Sequence, residues 1–187
     1  MQVKVLNECG YEEALRGMSF SYKDRESSMD DWWKTQYDKA AKRAELLAFK
    51  CGGHNKFLES IQVWIEVEAT RAWWSEADTY RVGITKQSES TMHTLSKRPP
   101  NEADFEEGTP MEIINCFCSI FDTIKDNVNA LKKALPEGFL QRRLICTNYK
   151  ALQNIYYQRK GRRLAAWDQF LEQLLSQLGH PEFIKND

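Results

Sequence analysis

Three observations predict an α+β fold for this chain. Ile61, Val63, Ile65 and Val67 alternate with Gln62, Trp64, Glu66 and Glu68, which is the period of a strand with one buried face. Two long segments, about Asp30 to Lys50 and Met111 to Ala134, repeat their apolar residues at helical steps. No strand–helix unit recurs along the chain, so a doubly wound parallel sheet is not expected. With 187 residues, 42% hydrophobic and 12% aromatic, the chain can bury one sizeable core and is read as a single domain over residues 1–187.

Taken in order, Gln2 to Leu6 alternates polar and apolar residues and predicts a short first strand, and Tyr11 to Met18 reads as a helical turn or two. In the first long helix Trp33, Tyr37, Ala40, Ala41, Ala44, Leu47 and Ala48 form the buried stripe, and Gly52-Gly53 supplies a left-handed stop. The clear strand runs from Glu59 to Glu68, and Arg71 to Thr79 follows as a short aromatic helix containing Trp73 and Trp74. Val82-Gly83 breaks that helix before the polar run Thr85 to Thr91, which is expected to be a candidate site and not a core element. Pro99 to Pro110 reads as an acidic surface excursion, and Met111 to Ala134 as one amphipathic helix. Leu144 to Thr147 is short and ambiguous, whereas Tyr149 to Arg159 and Leu164 to Leu178 are expected to be helical.

Charge and motifs exclude more than they assign. Lys plus Arg against Asp plus Glu gives 26 − 27 = −1, which favours a compact nucleotide pocket over an extended nucleic-acid track. The longest uncharged apolar stretch, near Ile113 to Phe121, is short of the ~18–20 residues of a membrane span, and Met1-Gln-Val-Lys has no signal-peptide pattern. A cytoplasmic protein without a membrane partner is therefore expected. The five cysteines lack Cys-x-x-Cys spacing and the three histidines are scattered, so neither a disulfide scaffold nor a metal site is expected. Signatures of a Rossmann dehydrogenase, an NTPase, a zinc protease and an α/β-hydrolase are absent.

Two clusters carry chemistry. His54 and Glu59 bracket the strand start and, with Arg81 and the Gln87–Thr91 run, offer donors and acceptors for a heteroaromatic or phosphorylated ligand; the plain alternative is a solvated loop. Arg142, Arg143, Lys150, Arg159, Lys160, Arg162 and Arg163, interleaved with Tyr149, Tyr156 and Tyr157, could grip phosphate and stack on bases, or could form a solvated cationic face.

The order of these features resembles the flavin-dependent thymidylate synthases, the ThyX family, over roughly residues 45 to 170. Gly53-His54-Asn55-Lys56-Phe57-Leu58-Glu59-Ser60-Ile61 resembles the family's Gly-His-x-x-x-(apolar)-Glu-His-(apolar) segment. Thr79-Tyr80-Arg81 stands at its Arg-His-Arg signature, and Thr85-Lys86-Gln87-Ser88-Glu89-Ser90-Thr91-Met92-His93 at its Ser-x-Asn-Glu-x-Ser-x-Arg-Tyr. Leu135-Pro136, Asn148-Tyr149-Lys150-Ala151-Leu152, Arg159 and Ala166-Trp167-Asp168 are similar to its later motifs. The resemblance implies a central, mostly antiparallel sheet flanked by long helices and a homotetramer with flavin sites between subunits. It implies FAD, reduced by NADPH, acting on a pyrimidine nucleotide at C5 with methylenetetrahydrofolate as carbon donor, by methylation of the dUMP-to-dTMP kind or by hydroxymethylation.

By the same resemblance, His54, Lys56, Glu59, Arg81, Gln87, Ser88 and Arg159 would contact the cofactor, and Glu76, Glu89, Ser90, Thr91 and Arg142 the nucleotide, with no catalytic side chain assigned. Arg and His of the signature become Thr79 and Tyr80, and its Arg-Tyr pair becomes Met92-His93. Each lost phosphate-gripping Arg removes a contact of roughly 1.5–3 kcal/mol. Lys56, Lys86, Arg162 or Arg163 are the replacements the sequence offers. The alternative function is a scaffold that has lost catalysis and binds a nucleotide or a partner.

Overall fold

A computed structural model describes residues 1–23, 28–95 and 97–186. Its sheet has the order β1-β2-β4-β3, with β1 Gln2–Cys9, β2 Gln62–Thr70, β3 Ile84–Ser88 and β4 Leu140–Asn148, and every neighbouring pair is antiparallel. Around it stand α1 Tyr11–Ser19, α2 Met29–Leu47, α3 Arg71–Ala77, α4 Thr91–Thr94, α5 Met111–Ile124, α6 Val128–Ala134, α7 Tyr149–Arg159 and α8 Ala166–Leu175.

One sheet face is buried. Val63, Ile65, Val67 and Ala69 of β2 are fully inaccessible, and their polar neighbours on the strand are only half-buried. Against this face pack Ala40, Ala44 and Ala48 of the α2 segment, Trp73 and Trp74 of α3, Leu152 of α7, and Trp167, Phe170 and Leu174 of α8. Small residues on α2 share this core while the helix lies against α1, and aromatic rings fill much of the remaining volume. Trp73 meets Trp167 at 4.7 Å and Phe170 at 5.2 Å between ring centroids. A second, smaller core of Leu95, Phe105, Ile114, Phe117, Phe121, Leu131, Leu135 and Phe139 lies under α5 and α6.

Several expectations are corrected or refined. Leu144 to Thr147 belongs to β4, which pairs with both β2 and β3. The alternation was hidden because positions on its core face are Arg143 and Thr147, whose polar atoms reach Asp78 and the Gly83 carbonyl. The polar run Thr85 to Thr91 contains edge strand β3. Its inward residue Lys86 satisfies its ammonium at the carbonyls of Ala77 (2.7 Å) and Tyr80 (2.8 Å), an inward charge of the kind that guards a sheet edge.

Met111 to Ala134 is two helices, because Asn127 leaves helical geometry and caps α6 by accepting the Ala130 N–H at 3.1 Å. The stripe of α2 includes Trp32, 5% exposed, whereas Tyr37 is 39% exposed. Glu59 precedes β2, in the short 3₁₀ turn Lys56–Glu59, and β1 runs on to Cys9 past an irregularity between Val5 and Asn7.

Candidate functional site

At the start of β4 a cleft of about 460 Å³ is lined by Glu68, Glu89, Thr94, Lys97, Arg98 and Arg142, among others. Glu89 follows β3 and is locked to β4 through its backbone and side chain. Its N–H donates to the Arg142 carbonyl (3.1 Å), and its Oε1 accepts the Arg142 N–H (3.0 Å). The Arg142 guanidinium lies between Glu68 (2.9 Å) and Glu66 (3.4 Å). The Glu68 hydrogen bond and charge raise its pKa further. Ser90 and Thr91 begin α4 beside this cleft, with the Ser90 carbonyl accepting the N–H groups of His93 and Thr94.

At the other end of β4, about 20 Å away at ~3.4 Å per residue, a second cleft of about 530 Å³ is lined by Glu59, Val82, Gly83, Asn148, Lys150, Asn154 and Tyr157. Asn148 closes β4 and opens α7 by accepting the Ala151 N–H at 2.9 Å. Gly83, at φ 70°, passes so close that a Cβ there would lie 3.0 Å from the Asn148 amide nitrogen. Arg81 is exposed, and its guanidinium has no hydrogen-bond or ion-pair partner among the described residues. Gln87 and Ser88 are exposed on β3 opposite Leu144 and Arg143.

Glu76 and Arg159, which the resemblance divides between nucleotide and cofactor, meet each other. Arg159 Nη1 pairs with Glu76 Oε2 at 2.5 Å and its Nε donates to the Tyr80 hydroxyl at 2.7 Å, while Trp167 Nε1 donates to Glu76 at 2.9 Å. The guanidinium also stands over the rings of Trp167 (4.8 Å) and Tyr80 (5.2 Å). His54 and Lys56 line a third cleft of about 500 Å³ with Tyr22 and Arg43, whose guanidinium stacks 3.7 Å over the Tyr22 ring.

The basic cluster read from Arg142 to Arg163 is largely neutralised within the chain. Arg143 pairs with Asp78, Arg159 with Glu76 and Lys160 with Asp168, and Arg162 donates to the Gln158 carbonyl. Lys86, offered as a replacement cation, is turned under the sheet, where burial lowers its pKa against the opposing pull of Asp78. Sequence reasoning missed Lys97 and Arg98, which stand in the first cleft. Arg98 is held by both oxygens of Asp104, at 2.7 and 2.5 Å. Burial works to raise the Asp104 carboxyl, but hydrogen bonds from Arg98 and the Asn101 N–H outweigh it and hold it below the usual value.

Among the described residues, no group of three or more His, Cys, Asp or Glu side chains is placed to hold a metal ion, and no helix is long and apolar enough to cross a membrane.

No protein-family model matches this sequence, and no curated protein matches it. The backbone does match solved structures. The flavin-dependent thymidylate synthase ThyX from Helicobacter pylori, complexed with FAD and dUMP, superposes with a TM-score of 0.77 at 15% identity, covering 99% of this chain and 98% of that one. The chain has the ThyX fold. A second structure of the Helicobacter pylori ThyX, with FAD and dUMP, gives 0.71 at 15% identity over 100% of both chains. The UMP/dUMP methylase PolB from Streptomyces cacaoi, bound with 5-Br dUMP, gives 0.67 at 12% identity over 94% of this chain and 88% of that one. The antiparallel sheet and flanking helices that the resemblance implied are thus present from end to end, on a sequence that has kept little identity with other bearers of the ThyX fold.

Proposed function

We propose that this chain is a single ThyX-like domain over residues 1–187 and a cytoplasmic, flavin-dependent enzyme that transfers a methyl or hydroxymethyl group to C5 of a pyrimidine nucleotide. The observation carrying this reading is the full-length match to a ThyX structure that holds FAD and dUMP. The donor set fits a flavin cofactor. Glu59, Asn148 and Lys150 line one cleft, and His54 and Lys56 line another. Amide, carboxylate and cationic groups are what ring edges, ribose hydroxyls and a pyrophosphate require.

FAD, when bound, supplies hydride chemistry, with NADPH as reductant and methylenetetrahydrofolate as carbon donor. Glu89, Ser90, Thr91 and Arg142 hold the nucleotide at the opposite end of β4, and Gln87 and Ser88 on β3 lie between the two ends. With the halves about 20 Å apart along one strand, a homotetramer in which one subunit's flavin cleft faces another's nucleotide cleft completes the site.

The purified full chain is expected to be yellow, with flavin absorbance near ~450 nm that NADPH bleaches. A colourless protein that takes up no added FAD contradicts the proposal.

A second reading is favoured by one observation. Arg142 and Arg159, which the resemblance assigns to nucleotide and flavin, are both neutralised by carboxylates of the same chain. On that reading the scaffold has lost catalysis and binds a nucleotide or a partner. Thermal shifts with dUMP, dCMP, dTMP, UMP and FAD separate the two. A saturating ligand at 100 times its dissociation constant stabilises by about 2.7 kcal/mol, so shifts with nucleotide but not with FAD select the binding module.

A further inference from the structure

The cleft at the start of β4 holds two cations that no motif announced, and they differ in how they are held. Lys97 is exposed, and its ammonium has no partner among the described residues. Arg98 is fixed. Its Nη1 donates to Asp104 Oδ2 at 2.7 Å and to the Pro99 carbonyl at 3.1 Å, and its Nη2 donates to Asp104 Oδ1 at 2.5 Å. Asp104 is itself anchored, because its Oδ2 also accepts the Asn101 N–H at 2.8 Å in the capping box of the turn Glu102–Asp104. This end-on grip leaves the Nε–H and the outer Nη2–H of Arg98 without a partner among the described residues, a side-on fork of the geometry that takes two oxygens of a phosphate.

Among the described residues, the cleft's other cation is matched by carboxylates, and the Glu89 carboxylate keeps its charge. Arg142 faces Glu68 and Glu66, and Glu89 accepts from the Arg142 N–H. An anion entering the cleft therefore finds one preorganised fork and one free ammonium.

We infer that Lys97 and Arg98 hold the phosphate of the pyrimidine nucleotide, with Asp104 as the positioning residue for Arg98. This rests on the nucleotide reading above and names the end of the cleft where the phosphate lies. It places the dianion at the Lys97 ammonium and at the N–H pair that Arg98, itself matched by Asp104, leaves open, while Arg142 is matched by carboxylates and Lys86 is turned inward.

Isothermal titration of the full chain in the presence of FAD, with dUMP and with deoxyuridine, tests it. Lys97→Ala and Arg98→Ala are each expected to weaken dUMP binding about tenfold or more, and deoxyuridine binding by less than about twofold. Lys132→Ala, an exposed cation on α6 away from the cleft, is expected to change neither. If the unmodified chain binds dUMP and the cleft variants bind it equally well, the phosphate assignment is overturned while the nucleotide reading stands. Equal weakening of both ligands, or equal weakening by Lys132→Ala, also overturns it, because the residues then shape the cleft or set the overall charge. An unmodified chain that binds neither ligand overturns both readings.

Discussion

At the scale of single residues, the Glu76–Arg159 contact joins side chains separated by 83 positions and holds Tyr80 and Trp167 in one knot. With Glu76 41% and Arg159 21% exposed, solvent screens part of the attraction. Glu76→Gln keeps the acceptor for Trp167 and removes the charge, and is expected to cost roughly 1–2 kcal/mol in urea unfolding. Tyr149 is a second buried polar centre, fully inaccessible, donating to Glu8 at 2.7 Å and accepting the His180 N–H at 3.2 Å.

Burial, then the Glu8 hydrogen bond and charge, raise the Tyr149 pKa far above its ordinary 10.0. The neutral phenol is thus favoured in the fold. Its contribution is fully present below pH 10.0 and is lost as the pH rises beyond that value. Tyr149→Phe is expected to lower stability at neutral pH and to flatten the fall in melting temperature above pH 10.0. An equally steep alkaline fall in the variant contradicts this account.

At the scale of elements, the helix break at Asn127 shows what a cap can do without Gly or Pro. The Asn127 side chain takes the Ala130 N–H, so α6 starts afresh after α5 and places Leu131 in the second core with Phe117 and Phe121. Asn127→Ala is expected to cost about 1 kcal/mol, read as a lower urea midpoint with an unchanged slope.

The same scale explains what the sequence could and could not disclose. β2 was legible because its inward positions are all aliphatic and its period is unbroken. Strands β3 and β4 were not, because Lys86, Arg143 and Thr147 occupy inward positions and find their partners across the fold, on Ala77, Tyr80, Asp78 and Gly83. Glu59, Asn148 and Lys150, which the sequence offered by motif order and spacing, line one cleft. Lys97 and Arg98 could not be found in that way, since they adjoin a Pro- and acid-rich excursion that reads as surface until Asp104 of the turn Glu102–Asp104 folds back on Arg98.

At the scale of the whole molecule, the antiparallel sheet acts as a ruler with a ligand-sized cleft at each end of β4. The backbone superposes along its full length on a ThyX structure at 15% identity, so the architecture persists where most side chains differ. On the proposed nucleotide reading, a scaffold without the signature arginines holds the phosphate through other groups, and Lys97 and Arg98 are the groups inferred to do so.

C5 chemistry displaces the hydrogen at that carbon whichever one-carbon group is installed. Incubation of the full chain with FAD, NADPH, methylenetetrahydrofolate and dUMP tritiated at C5, followed by counting the water, therefore tests the central claim most directly. The account predicts tritium release that requires FAD, and that consumes NADPH where the group installed is methyl. Absence of release from dUMP, or from UMP labelled in the same way, by a protein shown to bind both flavin and nucleotide would contradict it.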